Sequence, residues 1–150
     1  MSLFHYVACG LHNVWLANGY TEGVTSEGKP IFHVENVKGL HKAIGLSLVE
    51  KDTLLTGDEF RFLRNEIKLT RKSLAGILGI SEETIKKWES GENPIQKTSD
   101  IMLRNLFLEN QNMASVVRGL LERINHLEKK DTEFFFKEGR GEWGPDKKCA

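Results

Sequence analysis

The stretch from Leu69 to Gly91, LTRKSLAGILGISEETIKKWESG, constrains the fold of this chain more than any other segment. It reads as two short helices joined by a tight turn. Thr70 can cap the first helix, because its hydroxyl accepts from an orphan first-turn amide. Leu74, Ala75, Ile77 and Leu78 share one face of it. Gly79 follows at once, and a glycine there can take the left-handed conformation that ends a helix. Ser81 opens a second helix in which Ile85 and Trp88 make the buried side, leaving Glu82, Glu83, Lys86 and Lys87 outward. Gly91 ends that helix and Pro94 prevents an immediate restart. Small Ala75, a turn glycine and apolar Ile80 let the two helices cross closely, as a helix-turn-helix requires.

These residues resemble the helix-turn-helix of the Cro/C1 (XRE-type) repressor class. The family pattern, Leu-Thr-x-x-x-Leu-Ala-x-x-Leu-Gly-Ile-Ser followed by a recognition helix ending in aromatic-Glu-x-Gly, stands here as Leu69, Thr70, Leu74, Ala75, Leu78, Gly79, Ile80, Ser81, Trp88, Glu89 and Gly91. The resemblance implies a domain that binds operator DNA, against the plainer reading of a helical scaffold kept for protein contacts. In such a domain the second helix lies in the major groove with its early residues over base edges. Glu83, Thr84, Lys86 and Lys87 are then the candidate base readers. Lysine suits the N7 and O6 acceptors of guanine and glutamate can accept from cytosine, so a G·C-containing half-site is expected. The plainer reading of Glu82 and Glu83 is that they favour the positive end of the helix dipole. Thr70, Arg71, Lys72 and Ser81 are the candidate phosphate contacts. Trp88 is read as core rather than a base-stacking ring, since it shares a face with Ile85.

Charge argues for binding as a pair. The whole chain has no net charge. Residues 56–110 carry nine Lys plus Arg against nine Asp plus Glu, whereas phosphate neutralisation usually supplies much of the affinity for DNA. Arg61, Arg64, Lys68, Arg71 and Lys72 bunch before and at the start of the first helix of the pair, which predicts a local basic face. A homodimer setting two recognition helices one DNA turn apart would offset the neutral protomer.

The rest of the chain reads as α+β. Residues 3–34 alternate in the manner of strands, with turns at Asn18-Gly19 and Ser26–Pro30, and predict one small antiparallel sheet of three or four strands. Asn36 caps a helix with a Val37, Leu40, Ile44, Leu48 stripe, weakened by Gly39 and Gly45. Thr56 or Asp58 caps the next, with Phe60, Leu63 and Ile67 inward. Lys97 to Asn110 is a further helix, its apolar surface drawn from Ile101, Leu103, Leu106, Phe107 and Leu108. In 112–130, Met113, Val117, Leu120, Ile124 and Leu127 follow a heptad seam of about two repeats, a candidate dimer contact. In the tail, Lys-Glu-Gly-Arg-Gly can turn a hairpin between Phe134–Phe136 and Trp143, and the aromatics are expected to dock on the N-terminal sheet or on a partner. The expected division is 1–52 (β-rich module with one helix), 53–110 (helix-turn-helix domain) and 111–150 (helix and aromatic tail).

A broader resemblance runs over residues 6 to about 110. Gly10, Leu11, Asn13, Val14, Leu16, Asn18 and Gly19, then Leu40, His41 and Ile44, then Leu55, Thr56, Gly57, Glu59, Arg61, Phe62, Leu63 and Arg64 are similar to bacterial regulators related to MqsA (YgiT-type) antitoxins. This implies a regulator, with sequestration of a cognate toxin or other protein as the alternative function. Zinc-holding members carry Cys-x-x-Cys pairs; here the equivalent hairpin is TEGVTSEGKP, residues 21–30. Cys9 and His12, with His5, His33 and His41, are the remaining metal candidates, but structural zinc asks for two matched pairs, so no metal or cofactor is expected. Cys9 with a histidine lacks any surrounding nucleophile signature, and no enzyme is expected. Two cysteines at opposite ends, no apolar run of membrane length and no leader pattern point to the cytoplasm and away from membranes.

Overall fold

A computed structural model describes residues 3–111, 133 and 135–145. Small N-terminal antiparallel strands precede five helices, so the chain is α+β. β1 (Phe4–His5) pairs with β2 (Trp15–Leu16), and β3 (Tyr20–Val24) pairs with β4 (Pro30–Val34). The expected single sheet is thus corrected to two separate two-stranded ribbons. The cause is local. Gly10 adopts φ 87° and its amide bonds back to Val7, so the chain leaves β1 early and returns through a loop that buries Leu11. The ribbons meet through rings instead of backbone, with Phe4 stacked on Tyr20 at 4.8 Å and tilted against Phe32 at 4.9 Å.

Helix α1 (Val37–Val49) starts at Asn36, which takes the left-handed region at φ 47° while its side chain accepts from the Gly39 amide. Its inward stripe is Leu40, Ile44 and Leu48; Val37, expected in that stripe, is exposed because it sits in the first turn, beyond the helices that α1 packs on. Gly45 also faces inward. A Cβ at Gly45 would fall within the ring of Phe107, which is fully buried. Sequence alone reads Gly45 as a weakness of roughly 1 kcal/mol relative to alanine. The packing reverses the sign. We expect Gly45→Ala to destabilise by about 1–3 kcal/mol, because a fully buried ring must shift to admit the methyl. Urea unfolding checks this, and a midpoint at or above that of the parent would contradict it.

Helices α2 (Gly57–Glu66), α3 (Arg71–Leu78), α4 (Glu82–Glu89) and α5 (Lys97–Gln111) complete the core. Thr56 and Glu59 form a reciprocal capping box at the start of α2. α2 packs against α1, α4 and α5, and α3 against α4. Phe60, Leu63, Leu74, Ile85, Leu103 and Leu106 are buried at the centre, with Trp88 edge-on to Phe60 at 5.7 Å. Ile101, by contrast, lies exposed on α5 and Leu108 is half-buried, so the apolar surface read from that helix is only partly core.

β5 (Phe136–Gly139) and β6 (Glu142–Pro145) form the hairpin expected in the tail. Arg140 and Gly141, at φ 55° and 79°, supply the two left-handed residues of its turn. The expected docking of its aromatics on the N-terminal sheet is not found. Phe136 is 63% and Trp143 75% exposed, because so short a ribbon has one aromatic face and no other described residue covers it. Phe134 and the seam from Met113 to Leu127 lie outside the described residues.

Candidate nucleic-acid interface

Local chemistry sets the α3–α4 pair. Thr70 accepts from the Ser73 amide at 3.0 Å, and Gly79 closes α3 at φ 70°. Ser81 accepts from the Thr84 amide at 3.1 Å, and the two hydroxyls lie 2.7 Å apart. Glu82 and Glu83 stand in the first turn of α4 and Lys86 and Lys87 in the last, each sign at the favourable end of the helix dipole. Ile85 and Trp88 anchor α4 from below. Glu82, Glu83 and Lys86 point to solvent, while Thr84 and Lys87 are half-buried at the margin. At the N-terminal end of α3, Thr70 and Lys72 are exposed and Arg71 is partly so. Lys68, held at φ 56° in the turn before it, is exposed as well.

The basic face differs from the one expected. Arg61 and Arg64 from α2 and Arg71 from α3 converge on Glu89, whose side chain is 0% exposed. Arg64 donates twice, from Nε to Oε2 at 2.7 Å and from Nη2 to Oε1 at 3.0 Å. Arg71 Nε and Arg61 Nε reach Oε1 at 3.1 and 3.3 Å. Burial opposes a charged Glu89, yet the donors from Arg64, Arg71 and Arg61 outweigh it and hold the carboxyl below the usual range. Of the cations counted toward an outer face, Arg64 is taken up by this inner cluster, while Arg61 and Arg71 are tied to it and stay partly exposed. Lys68, Lys72 and Lys86 remain as exposed cations around the helix pair. Sequence reading treated Glu89 only as a motif position. The available signal was an acid next to a buried tryptophan, with Arg61 and Arg64 one helical turn apart on a helix that must pack nearby.

Residues 60–105 match the helix-turn-helix family model. The match covers α3 and α4 entirely, with most of α2 before them and the first half of α5 after, and it supports a DNA-binding transcription regulator of the XRE type. No curated protein and no solved structure matches the chain.

His5, His33 and His41 have structural partners, and the Cys9 thiol lies 3.9 Å from the Tyr6 carbonyl. His41 Nδ1 lies 2.7 Å from Glu66 Oε1, and its Nε2 3.0 Å from the Tyr6 hydroxyl. That geometry suits an Nδ1–H donating to Glu66 and a Tyr6 O–H donating to Nε2. Burial, with the nearby Cys9 and Glu66, pushes the Tyr6 phenol up. His5 stacks on Trp15 at 4.1 Å and contacts the His12 carbonyl, while His33 faces Glu35 at 3.6 Å. Among the described residues, no three His, Cys, Asp or Glu side chains gather as a metal site. No described helix is long and apolar enough to cross a membrane.

Proposed function

We infer that this chain is a cytoplasmic transcriptional regulator that binds operator DNA as a homodimer and acts as a repressor. The observation carrying this reading is the helix-turn-helix match laid over an α4 whose outer side is polar and solvent-facing. α4 enters the major groove, with Glu83, Thr84, Lys86 and Lys87 over base edges. Thr70, Arg71, Lys72 and Ser81 hold phosphates at the rim. The working division is 1–52, 53–110 and 111–150. With Arg64 turned inward and Arg61 tied to Glu89, a single protomer offers few cations, and pairing is what raises affinity.

The test is binding to a duplex carrying the protein's own promoter, against scrambled DNA, across a salt series. Lys87→Ala should relax preference at one base pair by about 1–3 kcal/mol. Glu83→Ala should tighten binding to both duplexes while narrowing the gap between them, since the carboxylate repels phosphates. Sedimentation at micromolar concentration should show a dimer. Absence of binding even at low salt would overturn the reading.

One observation favours a second reading, a protein-interaction module resembling the MqsA-type antitoxins. Val24 and Phe32 are exposed on one face of the β3–β4 ribbon, an apolar surface that a partner protein can cover, and Ile31 is exposed on the other face. A toxin gene beside this one, and co-purification of its product, would support it.

A further inference from the structure

Beyond the DNA-binding reading, and independent of it, the geometry points to a small-molecule site: a groove between residues 11–16 and α1 that takes an apolar or aromatic carboxylate. The groove holds about 500 Å³, within the range of ligand pockets of roughly 300–1,000 Å³. Leu11, Leu16, Leu40, Ile44 and Leu48 give it aliphatic walls, and Trp15 stands at the rim. The Trp15 indole is exposed on one side and backed by the His5 ring on the other, which fixes it as a flat surface for an apolar body.

The charge at the groove selects the ligand's sign. Lys51 and Glu59 both line it and pair at 2.5 Å. Glu59 is 3% exposed and accepts from Lys51 Nζ and from the Thr56 amide through the same Oε1. Lys51 is 29% exposed, and an ammonium carries three N–H donors, so a single carboxylate does not exhaust it. Of this pair, the ammonium is the more accessible member to an incoming molecule, with donors left over for a second acceptor. Asn13 and Ser47 add neutral polar groups on the wall. A carboxylate on Lys51 with a hydrocarbon or aryl tail along Leu40, Ile44 and Leu48 matches both features. Glu59 also closes the capping box of α2, so the charged end of the groove adjoins the first helix of the DNA-binding unit.

The probes are octanoate and 4-phenylbutyrate, with 4-phenylbutyramide as the uncharged control, titrated into the full-length protein and followed by amide chemical shifts and calorimetry. Saturable binding is expected, with shifts confined to residues 11–16 and 40–51 and at least a tenfold preference for the acid over the amide. Lys51→Gln should abolish that preference. Because Lys51 also neutralises Glu59, a second variant guards against misfolding. Ala43→Phe, at an exposed position on the groove wall, should block both probes while leaving the amide spectrum elsewhere unchanged. No saturation by either acid at millimolar concentration, equal affinity for acid and amide, or binding that survives Ala43→Phe would each overturn the assignment.

Discussion

Glu89→Ala is expected to lower stability by about 3–5 kcal/mol, the cost of removing one partner from a buried charge cluster. The magnitude follows from who is left behind. Arg64 is nearly buried, and besides Glu89 it donates to the Leu69 carbonyl at 2.9 Å. Without the carboxylate its charge stays desolvated among the helices. Arg61 and Arg71 are partly exposed and can turn to water, so their truncation should cost about 1 kcal/mol or less, as for other solvent-screened pairs. The ordering Glu89→Ala, then Arg64→Ala, then Arg61→Ala is thus a sharper test than any single value. Urea unfolding measures it. A Glu89→Ala protein within 1 kcal/mol of the parent would mean that the cluster contributes little.

The same carboxylate predicts an acid limit. Its folded-state pKa lies below the unfolded value of about 4.3. The unfolded chain therefore takes up a proton first as pH falls. The stabilisation from Glu89 is complete above about pH 4.3 and is lost as pH drops through the folded value. Glu59, held low against its burial by Lys51 and Thr56, acts with the same sign. In Glu89→Gln, part of the acid-induced loss should disappear, on top of a lower starting stability at neutral pH. An unchanged acid slope in that variant would remove Glu89 from the account.

What was legible in the sequence and what was not divides along contact range. Thr70, Gly79, Ser81 and Gly91 act on the backbone within a few residues of themselves, and the helix pair they bound is found where the pattern puts it. The Asn18-Gly19 and Ser26–Pro30 turns are local in the same way. The N-terminal sheet was misread because alternation describes the faces of a strand and not its partner, so nothing in Phe4–Ala8 announces that β1 stops after two residues. Gly45 looked like a defect because the ring that needs its missing side chain lies 62 positions away at Phe107. Glu89 and its arginines were split between a motif letter and a presumed outer face, since only the packing of α2 and α3 on α4 brings them together.

Asp100→Ala should be of comparable cost, about 3–5 kcal/mol, for a different structural reason. Asp100 sits in the first turn of α5, where an acid ordinarily faces water and favours the helix dipole. Here it is buried, accepting the Leu55 amide at 2.6 Å and lying 2.7 Å from Arg104 Nε. Arg104 in turn donates to the Lys51 and Thr53 carbonyls at 2.6 Å each. Two side chains of α5 thereby satisfy the backbone of the segment that carries the chain from α1 into the capping box of α2. Alanine leaves the Leu55 N–H without its acceptor and the Arg104 charge without its carboxylate. Asn keeps an oxygen for Leu55 but loses the ion pair, so Asp100→Asn should fall between parent and alanine. Hydrogen exchange separates this clamp from a generic loss of stability. In Asp100→Ala the Leu55 amide should lose more protection than the amides of Leu74 or Ile85, because its own acceptor is gone while theirs remain. Uniform loss across all three would assign Asp100 to the core at large and not to the tie between α1 and α2.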